Sequence, residues 1–129
     1  MGNRYLDWMK QSEADLHHSK SALEYGDFEW SCFAAHQAAE KAIKAVYQKN
    51  GMDAWGHTLT VLMGNLKSVV QVPEELIHAA RILDKHYIPT RYPNGFDSGA
   101  PTDFYTSEES QDAIQHAEAI VEFCRHQIR

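Results

Sequence analysis

The chain has 129 residues, enough for one domain that buries its own hydrophobic core without disulfides or a structural metal. Hydrophobic residues make up 43% and charged residues 23%, which excludes a chain too polar to fold. The formal net charge of -6 disfavours loose, phosphate-driven binding to nucleic acid but leaves room for a local basic groove. The two cysteines, Cys32 and Cys124, are too few for a disulfide framework and read as reduced thiols of a cytoplasmic protein. No run of about 18 apolar residues is available to span a membrane. The first eight residues, MGNRYLDW, lack the apolar stretch of a signal peptide, and Leu6 breaks the myristoylation pattern.

The apolar positions Tyr5, Trp8, Met9, Leu16 and Leu23 recur at helical spacing and predict a first helix from about Arg4 to Tyr25. Gly26 suits its end, because glycine accepts the left-handed conformation, and Asp27 can cap the next helix. A second helix is expected from Phe28 to Lys49. Its buried stripe is Trp30, Phe33, Ala34, Ala38, Ala42, Ala45 and Val46, and its alanines let another helix approach closely. Asn50 and Gly51 stop it. A third helix is predicted over Thr58 to Val70, with Leu59, Leu62, Leu66 and Val69 inward.

Pro73 suits the first turn of a fourth helix, which carries Leu76, Ala80, Leu83 and Tyr87 on one face and ends near Tyr87 or Ile88, before Pro89. Residues 89–105 contain three prolines and two glycines without apolar periodicity. They read as one long loop, with Asn94 to Pro101 its mobile part, and loops of this length are often functional. Thr106 and Glu109 form a capping box that opens a fifth helix, with Ala113, Ile114, Ala117, Ile120, Val121, Cys124 and Ile128 buried. The whole predicts an all-α, up-and-down antiparallel bundle of about five helices, one domain over residues 1–129.

Three stretches carry a family resemblance. One is the helix-two segment from Cys32 to Ala45, in which His36, Gln37, Glu40, Lys41 and Lys44 interrupt alanines. Another is Gly56-His57-Thr58-Leu59 followed by Leu62. The last is Leu83-Asp84-Lys85-His86-Tyr87-Ile88-Pro89-Thr90-Arg91-Tyr92-Pro93. In order and spacing they resemble the HEPN family over nearly the whole chain. The resemblance implies a helical bundle that pairs as a homodimer, often encoded beside a small nucleotidyltransferase. Some members are ribonuclease toxins and others are linked to nucleotide binding. The ribonuclease members carry an Arg, four to six residues, then a His. Arg81 and His86 fit that spacing, but Ile82 follows the Arg where the strongest form of the motif has a polar residue such as Asn.

His86 suits proton transfer near neutral pH, and Arg81 suits stabilisation of phosphate charge. Five residues along a straight helix rotate by about 140°, so the two converge only at a bent helix end or across a dimer interface. The bland alternative is an exposed Arg81 and a His86 that favours the helix dipole. His57, Arg91, Tyr92, Lys41 and Tyr87 are the candidates for nucleotide or partner binding. An Arg beside an aromatic clamps a phosphate while the ring stacks a base. The competing reading has Tyr92 buried and Arg91 tethering the loop to carbonyls at a helix end or to a carboxylate.

Glu40 and Lys44 form an i,i+4 pair on a solvated face, with Gln37 and Lys41 beside the alanine stripe. Cys32 and His36 have metal-ligand spacing, and Cys124, His116, His17 and His18 are spare donors. No second paired motif completes a site, so no metal or other cofactor is expected. The leading expectation is a homodimeric HEPN module that binds a nucleotide, RNA or a nucleotidyltransferase partner, as in a toxin–antitoxin pair. The alternatives are a metal-independent endoribonuclease using Arg81 and His86, and a dimeric scaffold without a small ligand.

Overall fold

The computed structural model describes residues 3–129, and among them there is no strand. Met1 and Gly2, which open the segment considered for a leader or lipid signal, lie outside the described residues. The helices are α1 (Tyr5–Tyr25), α2 (Phe28–Lys49), α3 (Leu59–Leu66), α4 (Glu74–Asp84), α5 (Pro101–Phe104) and α6 (Ser107–Gln127).

Local signals set most of the ends. Gly26 takes a left-handed φ of 82°, and the amides of Gly26 and Asp27 donate to the carbonyls of Leu23 and Ala22 in a Schellman arrangement. Asp27 occupies the N-cap position of α2, but its side chain makes no capping bond. Asn50 closes α2 by turning its carboxamide back to the Val46 carbonyl at 2.8 Å. The Thr106–Glu109 capping box forms in both directions, each bond 3.1 Å. Pro73 sits one residue before α4, not inside its first turn.

α1 and α2 make an antiparallel hairpin. Asn3 meets Gln48, Ser12 meets Ala38 and Ser19 meets Ser31, with numbers rising along one helix as they fall along the other. α6 runs against α1, with Lys20 paired to Glu118 and Arg125 to Glu13. It runs alongside α2, where Ser110 meets Ser31. α4 runs against α6, so the four long helices alternate in direction along the chain. α2 is the axis of the bundle, with Ala34, Ala35, Ala38, Ala39, Ala42 and Ala45 all buried. Short side chains around most of its circumference let α1 and α6 pack close on two sides, and hydroxyls cross the seams. Ser12 donates to the Ala38 carbonyl at 2.6 Å, while Ser19 and Ser31 exchange bonds to each other's carbonyls at 2.7 Å.

Five expectations need correction. Trp30 is 49% exposed and Val69 47% exposed, so neither belongs to a buried stripe. α2 is buried by its alanines, which leaves its first-turn tryptophan at the rim. α3 ends at Leu66, and residues beyond it turn back through Val69 and Val70 amides bonded to the Leu66 carbonyl. α4 ends at Asp84, and residues 85–91 continue as tight turns. The expected loop 89–105 contains a 3-10 turn at Pro93–Gly95 and the one-turn helix α5. The Phe96 and Phe104 rings stack at 4.6 Å and 10°, closing this segment on itself. Gly99 sits inside that closure with φ +83°. A Cβ there would lie 2.9 Å from the Phe104 ring, so both backbone and packing require glycine.

Candidate functional site

α2 presents His36 and Glu40 one turn apart toward the segment before α3 and the turns after α4. Both are buried, although the spacing predicts a solvated face for Glu40. The His36 Nε2 donates to the His57 carbonyl at 3.1 Å, and its Nδ1 accepts from Gln37 at 3.2 Å, an assignment that the partners dictate. Glu40 receives the His57 Nδ1 at 3.0 Å to each oxygen and the Lys44 ammonium at 3.0 Å. A buried carboxylate held by a lysine and an imidazole is thereby satisfied.

Asp84, the last residue of α4, caps a different helix. Its carboxylate accepts the Leu59 amide at 2.7 Å, the Thr60 amide at 3.0 Å and the Thr60 hydroxyl at 2.7 Å, and the His36 Nε2 lies 3.7 Å away. Burial alone would raise its pKa. The nearby His36 imidazole and the bonds from Thr60 and Leu59 outweigh that and hold it below the ordinary carboxylate value. Asp84 therefore supplies in trans the N-cap that Thr58 does not provide.

The Tyr87 ring lies at the centre of this arrangement. His57 stacks on it at 4.9 Å and 18°, His36 lies at 5.0 Å and Phe33 at 6.1 Å. The Arg91 guanidinium sits 4.4 Å from the Phe33 ring, 4.6 Å from Tyr87 and 5.2 Å from Tyr92. Its Nε and Nη2 donate to the Tyr87 carbonyl at 2.9 and 2.7 Å, so the tethering role and the cation–aromatic role coexist. Tyr92 is half-exposed, not buried. A cleft of about 520 Å³ is lined by His57, Thr58, Asp84, Lys85, Tyr87, Ile88 and Pro89. Lys85 and Asp84 are the cation and the carboxylate in its lining.

The sequence-predicted residues divide accordingly. His57, Tyr87, Arg91 and Tyr92 come together. Lys41 does not join them directly. It pairs with Asp15 of α1 at 2.5 Å and reaches the cluster through Gln37, whose oxygen lies 3.4 Å away. Reasoning from the sequence missed Asp84 and assigned His36 and Glu40 other roles. The available signal was their i,i+4 spacing on a helix whose neighbouring alanines are all buried. Cys32 is buried, and burial pushes its thiol up to about 12, while Cys124 is raised further still.

Arg81 and His86 do not share a cleft. Arg81 is exposed and makes no hydrogen bond or ion pair among the described residues. His86 is only 8% exposed and lines a second cleft with Lys85, Pro89, Phe96, Phe104, Tyr105 and Glu109. Burial holds its imidazole below the ordinary value of 6.5, against the opposing pull of Glu109 and Asp112. Arg81 is exposed, as in the bland alternative, and His86 lies buried two residues past the end of α4.

A family model described as the HEPN domain matches residues 5–127. The chain belongs to the HEPN domain family. It is 26% identical over 124 residues to the Methanocaldococcus jannaschii protein named "Putative toxin MJ1304", covering 89% of this chain and 82% of that protein. Among solved structures, TT1696 from Thermus thermophilus is 42% identical with a TM-score of 0.95, covering 98% of this chain and 99% of that one. ST0689, described as an archaeal HEPN homologue, is 35% identical with a TM-score of 0.84 over 100% of both chains. An HEPN domain protein from Thermotoga maritima is 38% identical with a TM-score of 0.77, covering 93% of this chain and 95% of that one. Among the described residues no helix is long and apolar enough to cross a membrane.

Proposed function

We propose that this HEPN module binds the phosphate-bearing part of a nucleotide, or a nucleotidyltransferase that carries one, on the face built by His57, Tyr87 and Arg91. One observation carries the reading. The Glu40 carboxylate fixes His57 through Nδ1 and the Tyr87 ring stacks on it, so the His57 Nε2 is left with no bond to a described residue, on a side chain that lines the same cleft as Lys85. Arg91, held over three aromatic rings, adds a fixed cation at the edge of the same face. Tyr92 flanks it. Pairing of two chains fits the exposed Trp30, Trp55 and Tyr92, because apolar groups left on a surface mark interfaces. The reading places the protein in the cytoplasm, as one member of a toxin–antitoxin pair, in keeping with the name of its M. jannaschii relative.

Calorimetric titration with ATP and AMP tests it. Binding by the natural chain is expected, with Arg91→Ala weakening it by about 1.5–3 kcal/mol, the worth of a charged hydrogen bond. Light scattering is expected to give about twice the 14.7 kDa chain mass. Absence of binding both to nucleotide and to a co-purified nucleotidyltransferase overturns the reading and leaves a scaffold. A second reading, an endoribonuclease toxin, is favoured by the name of that same relative and by a buried imidazole whose low pKa suits a general base. The separation of Arg81 from the His86 cleft within one chain weighs against it. Cleavage of single-stranded RNA that resists chelators and is lost in His86→Ala would establish the enzyme.

A further inference from the structure

Hydrogen-bond partners decide which nitrogen of a neutral imidazole carries the proton. The His36 Nε2 donates to the His57 carbonyl at 3.1 Å, so its Nδ1, 3.2 Å from the Gln37 amide nitrogen, is an acceptor. His36 therefore offers no proton to Glu40, although its Nδ1 lies 4.0 Å from a Glu40 oxygen. The carboxylate is left to Lys44 at 3.0 Å, to Gln37 at 3.4 Å and to His57, whose Nδ1 lies 3.0 Å from each oxygen. The neutral form of His57 is thus the Nδ1–H tautomer, with its lone pair on Nε2.

Nε2 is also the nitrogen open to solvent. The His57 side chain is 52% exposed, its Nδ1 edge is turned to a buried carboxylate, and one face stacks on Tyr87. The open edge is the opposite one, which carries Nε2. A lone pair there accepts a hydrogen bond and repels the oxygens of an anion. The charges around it otherwise cancel. Lys85 and Asp84 line the cleft as one cation and one carboxylate, and behind His57 the Lys44 ammonium is paired with Glu40. His36 and the Tyr87 ring complete the surroundings, and Arg91, 4.6 Å from that ring, is the one cation left over. A second proton on His57 therefore decides whether the Nε2 edge repels a phosphate oxygen or donates to it.

We propose that His57 makes binding at this face proton-linked and thereby selects a phosphate monoester over a diester. The inference rests on the nucleotide reading for the presence of an anion and adds which kind of phosphate is read. A monoester gives up its second proton near pH 6, so near neutrality it either brings the shared proton on its own oxygen or, as a dianion, draws one onto Nε2. A diester has no such proton and one negative charge fewer. In the complex the proton lies between Nε2 and a phosphate oxygen, Glu40 balances the imidazolium through Nδ1, and no bond to phosphorus forms or breaks. The linkages inside a nucleic-acid chain are diesters, so this face distinguishes a free nucleotide or a phosphorylated chain end from the interior of a strand.

The test uses the full chain. Nitrogen NMR of the imidazoles at pH 8, without ligand, is expected to show His57 as the Nδ1–H tautomer, which free histidine side chains disfavour. The Nε2–H tautomer there overturns the proposal whatever binds. Calorimetry then compares AMP with its methyl ester, a diester of the same nucleoside, in two buffers of different ionisation enthalpy. AMP is expected to take up about one proton per ligand at that pH. It is also expected to bind about tenfold more tightly than the ester, the scale of one hydrogen bond to a charged group. His57→Gln replaces a half-exposed side chain with one that cannot gain a proton, and is expected to lose both the uptake and the preference. Glu40→Gln keeps an acceptor for Nδ1 without the charge, and is expected to reduce both while His57 keeps its tautomer. AMP binding without proton uptake, or equal affinity for the ester, overturns the proposal and leaves the nucleotide reading standing. Uptake unchanged in His57→Gln assigns the proton to another group and overturns the role of His57. Binding of neither AMP nor inorganic phosphate removes the nucleotide reading and this proposal with it.

Discussion

The seam between α1, α2 and α6 and the end of the bundle around residues 84–105 treat polar groups in opposite ways. In the seam, buried Ser12, Ser19, Ser31 and Ser110 each find a partner inside the protein, and small residues bring the helices close enough for those bonds to form. At the other end His57 points one nitrogen outward, Arg91 is stretched over rings at the surface, and His86 keeps a buried nitrogen without a partner. Internal satisfaction builds a scaffold, and the other end leaves polar groups without a partner inside the chain. Glu40 joins the two regions, because from α2 its carboxylate fixes His57, while Asp84 ties the end of α4 to the start of α3.

The largest expected effect breaks that join. Glu40→Ala strands the half-buried Lys44 and frees His57, and urea unfolding is expected to show a loss of about 3 kcal/mol, the low end for breaking a buried ion pair. Overfilling the scaffold comes next. Ala42 is fully buried, and Ala42→Leu is expected to cost about 1–3 kcal/mol by forcing α2 away from its neighbours. A variant as stable as the natural chain would mean that the alanine face is loosely packed.

Asp84→Ala is expected to cost about 1–2 kcal/mol, the scale of a lost helix cap. Amide exchange should speed up first at Leu59 and Thr60, whose N–H groups lose their acceptor. Unchanged exchange there would show that α3 does not depend on the end of α4.

The smallest effect sharpens the contrast. His86→Phe is expected to leave stability unchanged or raise it by up to about 1 kcal/mol, because it removes an unpaired polar atom. The same variant carries a pH signature. Folded His86 has its pKa below the ordinary 6.5, so between the two values the unfolded chain binds more protons. Its contribution to stability is present above 6.5 and is lost as pH falls through the folded value. A thermal midpoint measured between pH 7 and pH 5 should fall less in His86→Phe than in the natural chain. Parallel pH profiles would count against the burial of an uncharged ring.

What could be read from the sequence alone is local. The all-helical class, the Schellman ending at Gly26, the Thr106–Glu109 capping box and the extents of α1 and α2 depend on residues one to five positions apart, whose geometry the helix itself supplies. The resemblance placed His57, Tyr87 and Arg91 among the candidates. The tertiary structure alone decided that Glu40 fixes His57, 17 residues away, and that Asp84 caps α3 across 25 residues. It also decided that Trp30 stays at the rim, that Phe96 and Phe104 fold residues 89–105 onto themselves, and that His86 is buried while Arg81 is exposed. The reason is physical. Periodicity says which side of a helix is apolar, but a polar side chain becomes buried, paired or orphaned according to which other segment comes to lie over it.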